Sequence, residues 1–254
     1  MPKRTGIAVI AVALMTAGTA LAAVVSLSAQ DAAAPHITNA VSDSRRPAED
    51  VERDGLRKPA DMLAFGEVQP GQRIADIRPE EGYFTRLFAP AVGETGRVYA
   101  FVPTRTATRE TPLAEALAAS FANVTPLTGA LDSMSFPEPL DAVFTVQEYH
   151  DFHIPGFNTD VGRMNRAVFD ALKPGGVYVV IDHSGRSGTG ATEVQTLHRI
   201  EGDFLKAEVE AAGFVFEAES DVLRNPDDDR TINVFDEAIR GLTDQFVYRF
   251  RKPE

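Results

Sequence analysis

The chain lacks cysteine and tryptophan altogether, and it lacks any excess of positive charge. Without cysteine no disulfide framework forms, and a lipid-modified N-terminal cysteine is excluded. Without tryptophan, the interior must be filled by its 16 Phe and its many Val, Leu and Ile. The formal charge of -12 argues against nucleic acid and anionic membrane surfaces as partners, since both repel a net anion. A small-molecule ligand is the expected partner, and the charge does not say which. Two motifs are missing as well. The Gly- and Ser-rich segment 184–192 holds no Gly-x-Ser-x-Gly, so there is no hydrolase elbow. The acidic turn Asn225-Pro226-Asp227-Asp228-Asp229-Arg230 lacks the glycine and terminal glutamate of an EF-hand. No internal repeat is visible.

What is present begins with an address. Lys3 and Arg4 precede an apolar run over residues 6–25, and Ala20-Leu21-Ala22 fits a small-x-small cleavage site. The pattern predicts a signal peptide over residues 1–22, a mature chain from near Ala23, and a periplasmic or secreted bacterial protein without membrane contact after cleavage. Left uncleaved, a run of about 20 apolar residues anchors a chain in the bilayer instead. Residues 23–52 are rich in Ala, Ser and charge, with no lasting apolar period, and read as a flexible leader. The remainder, 53–254, suits one α/β domain.

Within that domain strands and helices alternate. Ile74, Ala75 and Ile77 make a short buried strand with Asp76 near its carboxyl end, and Phe84, Leu87 and Phe88 recur at helical spacing up to Pro90. Further strands are predicted over 96–102, 123–127, 140–146, 177–181, 214–223 and 245–250. Helices are predicted from Pro59 with Met62, Leu63 and Phe65, over 113–121, from Val161 to Leu172, and from His198-Arg199 through Leu205 and Val209 to Gly213. In an open α/β sheet, ligands bind beyond the carboxyl ends of the strands, above a turn such as the one between Asp76 and Phe84.

That turn carries a likeness. Asp76, Gly82, Tyr83, Phe84 and Thr85 match the first motif of class I S-adenosylmethionine-dependent methyltransferases. The strand 140–146 resembles that family's central fourth-motif strand. Leu172-Lys173-Pro174-Gly175-Gly176 matches the turn before its fifth strand and is the most specific match in the chain. Arg78 and Glu80 stand where the first two glycines of the motif belong. Val102-Pro103 ends the second strand, where many members carry an acid for the cofactor's ribose. Over about 53–253 the chain also resembles predicted exported methyltransferases with a Tyr149-His150-Asp151-Phe152 run, a His198-Arg199 pair and the Asn-Pro-Asp-Asp-Asp turn.

The resemblance implies a Rossmann-like α/β fold: a seven-stranded, mostly parallel sheet with helices on both faces. It implies S-adenosylmethionine as cofactor, held by Asp76, Arg78, Gly82, Tyr83 and Phe101, with His150 and Asp151 as the catalytic pair facing an acceptor. Arg53, Asp54, Arg57 and Lys58 form a solvated charged face or, as the resemblance implies, line a lid over the cofactor cleft. Chain position on the sheet adds Tyr149, Asp182, His183 and His198 as a substrate cleft on the same rim. Two functions follow. One is methyl transfer to a small-molecule acceptor. The other is a non-enzymatic exported ligand-binding protein on a methyltransferase scaffold, favoured by the substituted glycines, the missing acid and the export signal. Arg78 either weakens cofactor binding or pairs with the cofactor's carboxylate. No metal ligands are assigned. Zinc, manganese or iron becomes an expectation only if His150, His183 and a carboxylate approach one another.

Overall fold

The computed structural model describes residues 34–254. The expected signal peptide and the first part of the leader lie outside the described residues. Seven strands form one sheet in the order β3-β2-β1-β4-β5-β7-β6. They are β1 (Arg73–Ile77), β2 (Arg97–Pro103), β3 (Val124–Gly129), β4 (Leu140–Val146), β5 (Leu172–His183), β6 (Val215–Ser220) and β7 (Gln245–Arg251). The first five run parallel, and β7 lies antiparallel between β5 and β6. The predicted seven-stranded, mostly parallel sheet is therefore the observed one.

Both faces of the sheet are covered, which explains why its central strands read as almost unbroken apolar runs. Alternation along each strand divides the core. Ile74, Ala142, Phe144, Val177 and Val179 face one apolar cluster with Met62, Leu63, Leu87 and Phe88. Ala75, Ile77, Val143, Tyr178 and Val180 face the other, with Met164, Val168, Leu205 and Val209. The helices are α1 (Pro35–Val41), α2 (Ala48–Arg57), α3 (Pro59–Phe65), α4 (Thr85–Val92), α5 (Ala107–Ser120), α6 (Val161–Ala171), α7 (Val194–Leu197) and α8 (Gly202–Ala211).

Three local readings need correction. The leader is not a flexible segment from residue 35 onward. Pro35 opens α1, whose Ile37 and Ala40 are buried in the first cluster, and α2 follows. The composition hid α2 because its inner stripe is polar: Asp50, Asp54 and Arg57 fall at i, i+4 and i+7, while Val51 and Leu56 face solvent. The helix expected from Pro59 is present as α3, and Lys58, left-handed at φ 47° before Pro59, separates it from α2. Second, Pro90 does not stop α4 but lies within it, and Gly93 at φ 68° ends it. Third, His198 and Arg199 precede α8 rather than opening it.

Strand order reverses at β1, with β2 on one side and β4 on the other. The crevice beyond the carboxyl ends of β1 and β4 is the ligand position this topology creates. The loops after β1, β4 and β5 converge there, and α2 lies across it.

Candidate functional site

The turn after β1 has the backbone of a glycine loop without its glycines. Arg78, Glu80 and Gly82 are all left-handed, at φ 55°, 50° and 85°. An L-residue in that region costs about 1–2 kcal/mol, so the surroundings must hold Arg78 and Glu80 there. Gly82 is needed for a second reason: a Cβ there meets Leu117 Cδ1 of α5 at 2.4 Å. Asp76, next to last in β1 and 3% exposed, accepts a hydrogen bond from Thr85 Oγ1 at 2.6 Å. Burial pushes its carboxyl up to about 6, against the pull of the Thr85 hydrogen bonds.

Arg78 does not leave the crevice; it crosses it. Its backbone N–H donates to Phe101 O at 2.8 Å, and its guanidinium enters a knot of acids. Nη1 binds Glu148 and, at 2.8 Å, Asp151 Oδ2; Nε reaches Glu110 Oε1 at 3.4 Å and Nη2 reaches Glu80 Oε1 at 3.3 Å. One cation thus faces four carboxylates. Burial drives the Glu148 carboxyl well above the usual range, against the pull of Arg78. Burial also penalises the Arg78 cation, but the surrounding acids raise its pKa further.

The turn after β4 carries the second half of the site. Gln147 is left-handed (φ 61°), and a short 3-10 turn over His150–His153 follows. Asp182, at the end of β5 and fully buried, accepts from three groups: His150 N–H at 2.8 Å, His183 N–H at 2.7 Å and His150 Nδ1 at 2.7 Å. This orients the His150 ring so that Nε2 faces outward. There it meets His198 Nδ1 at 3.2 Å and Asp151 Oδ1 at 3.2 Å, and those two are themselves 3.2 Å apart. Burial by itself lowers the pKa of His150, but the carboxylates of Asp182 and Asp151 raise it to about 10. Asp151 is held well below the usual carboxylate range by His150 and Arg78, which outweigh its burial. His198 is left-handed (φ 54°) and fixed by its neighbour. Arg199 is fully buried on Asp228, with two bonds of 2.8 and 3.1 Å. The acidic turn noted in the sequence therefore serves to place His198.

A cavity of about 500 Å³ joins the two halves, and Asp76, Arg78, Tyr83, His150, Asp151, His183 and His198 all line it. His183 donates or accepts at Thr243 Oγ1, 2.8 Å away, and burial drives its pKa down to about 3, so it is neutral. α2 forms one wall. Asp50 pairs with Arg86 at 2.7 Å, Asp54 accepts from Tyr83 O–H at 2.6 Å, and Arg57 donates to Gln147 Oε1 at 3.0 Å. Of the residues expected on a lid, Arg53 and Arg57 line the cavity, and Asp54 and Lys58 do not.

Two expected site residues are elsewhere. Tyr149 is fully buried and points away from the crevice: its hydroxyl accepts from Asn165 at 2.7 Å and donates to Glu208 at 3.3 Å. The 3-10 turn sends residues 149 and 150 to opposite sides. Phe101 contributes its carbonyl to Arg78, but its ring packs in the second core cluster against Phe136. Asp182 and Gly82 support the site without lining the cavity. His153, on the same run, pairs with Glu208 outside it. Sequence reasoning missed Glu148 and Glu110. Glu148 stood in the polar run after β4, where its position was a signal. Glu110 lies in the first turn of α5 with nothing local to mark it.

No family model matches the chain, and no curated protein matches it. Its fold does match solved structures. An S-adenosylmethionine-dependent methyltransferase from Aquifex aeolicus superposes with a TM-score of 0.56 at 18% identity, over 81% of this chain and 98% of that one. One from Mesorhizobium loti gives 0.56 at 18%, over 79% and 100%. The [4+2]-cyclase SpnF gives 0.56 at 18%, over 83% and 84%. The fold is that of the class I methyltransferases. A cyclase among the matches is a reminder that this fold does not fix one chemistry.

Proposed function

We propose that this protein is an exported S-adenosylmethionine-dependent methyltransferase acting on a small-molecule acceptor in the β1–β4 crevice. One observation carries the reading: on a class I methyltransferase fold, the loop after β1 keeps three left-handed residues where that family's glycines stand, although two are not glycine. A strained backbone is retained where its shape is used. The cavity volume also lies within the range of small-molecule sites.

The residues fit such a cofactor at the loop backbone and at Asp76 and Tyr83, which would hold it. They depart from the usual pattern in the Arg78 side chain and at Val102-Pro103. S-adenosylmethionine supplies an electrophilic methyl group when bound. The chain's own task is then to bind the acceptor, align it and exclude water. α2 screens the crevice. Asp151 and the rings of His150 and His198 are the polar groups of the cavity that an acceptor hydroxyl or amine faces.

A second reading rests on Arg78. Its guanidinium fills part of the crevice and is already saturated by acids. A ligand-binding protein that has given up the cofactor has this appearance. Calorimetric titration of the mature chain with S-adenosylmethionine and its demethylated product separates the two. Saturable micromolar binding of either supports methyl transfer. Absence of heat at millimolar ligand removes that reading and leaves the binding protein.

A further inference from the structure

We propose that His150 Nε2, His198 Nδ1 and Asp151 Oδ1 form a binding site for a first-row divalent transition metal at the base of the cavity. The proposal holds whichever reading of the cofactor crevice is correct, because none of the three belongs to the loop after β1.

The geometry comes first. The three atoms form a triangle with every edge 3.2 Å. Ligand atoms about 2.0–2.1 Å from a shared ion lie about 3.3–3.4 Å apart in a tetrahedron and about 2.9–3.0 Å apart on an octahedral face. The observed edge falls between these. Two imidazoles and one carboxylate on one face, with the remaining positions open, is a known donor set for zinc, iron or manganese.

Hydrogen bonding accounts for only two edges of the triangle. If both ring nitrogens carry a proton, each donates to Asp151 Oδ1, whose carboxylate is also bound by Arg78 through Oδ2. The N···N edge then sets donor against donor at 3.2 Å, whereas a cation in the centre closes all three edges.

The supporting groups are those a metal site needs. Asp182, fully buried, takes the Nδ1 proton of His150 and leaves Nε2 free to ligate. Arg78 fixes the second oxygen of Asp151. The buried Arg199–Asp228 pair fixes the backbone beside His198, and the His198 ring meets the Phe235 ring edge-on at 4.9 Å between centroids. All three ligands line the cavity, so an ion there has open positions toward an incoming molecule. His183 is not part of the site; its Nδ1 is engaged by Thr243.

The test is titration of chelator-stripped mature protein with zinc by calorimetry, and with cobalt(II) by visible absorption. The wild type is expected to take up about one equivalent of zinc and to develop ligand-field bands with cobalt. His198→Ala, which removes a partly exposed ligand, should keep its circular dichroism and bind more than about 100-fold more weakly. Asp182→Asn should weaken binding by about 10–100-fold through the loosened His150. His153→Gln, a histidine outside the triangle, should bind as the wild type does. Zinc uptake that is not saturable, or that is equal in the wild type and folded His198→Ala, overturns the proposal.

Discussion

At the turn after β1, one guanidinium meets four carboxylates and closes the crevice with contacts internal to the protein. At the turn after β4, three ligand atoms face one another across equal gaps, and no arrangement of protons makes a hydrogen bond along all three edges. Both turns lie at the same switch point of the sheet and both are reached from the same cavity. The difference separates a group that holds the structure together from one that awaits a ligand. A buried charge network satisfied from within is expensive to break and offers little to a visitor. A cavity-facing cluster left incomplete costs the fold little and offers more.

The contrast can be broken most directly at Arg78. Arg78→Met strands Glu148 in the interior, whereas Glu110 keeps Thr106 and Arg109, and unfolding in urea should show a loss of about 3–5 kcal/mol. A loss under about 1 kcal/mol would mean that the acids relax into solvent and that the network is not structural. It follows that rebuilding the glycines of the loop requires Glu148→Gln alongside Arg78→Gly, since the arginine alone cannot be removed cleanly.

Asp76 supplies the next effect, through pH. Its folded pKa of about 6 lies above the ordinary value of 3.8, so between those limits the native state holds a proton that the unfolded chain has released. That contribution to stability is fully present below about pH 4 and is lost as pH rises through 6. Relative to Asp76→Asn, the wild type should gain about 2 kcal/mol on going from pH 7 to pH 4. A difference between the two that stays flat across that range would show the carboxyl to be ionised throughout.

Glu80→Gly is expected to stabilise by about 0.5–1 kcal/mol. Relief of the left-handed strain outweighs the added freedom of the unfolded chain. The lost ion pair with Arg78 is half in solvent and counts for little. Destabilisation by more than about 1 kcal/mol would assign that pair a larger part in the network. Smallest of all, His198→Ala in metal-free protein should change stability by under about 1 kcal/mol, because without its ring Asp151 keeps Arg78 and His150 keeps Asp182. If it costs as much as Arg78→Met, the two turns are alike and the contrast fails.

The architecture was readable from local pattern. Strand and helix periods, the Asp76–Thr85 turn and the Leu-Lys-Pro-Gly-Gly turn each lie within a dozen residues, and the sheet they predict is the one observed. So was the convergence of His150, Asp151, His183 and His198 on one cavity, because strand ends on one edge of a parallel sheet share a rim. What the sequence left undecided needed distances in space. Tyr149 and His150 are adjacent in the chain, yet a 3-10 turn sends one into the core and the other into the cavity. Arg78 finds Glu110 and Glu148 at separations of 32 and 70 residues, and His150 finds His198 at 48. α2 looked like leader because its inward stripe is charged, and charge turns inward only when a partner such as Arg86 or Tyr83 is already there to receive it. Backbone periodicity is set by neighbours along the chain, and so the sequence carried it. Pairing of buried polar groups is set by strand order and turn geometry, and only the tertiary structure decided it.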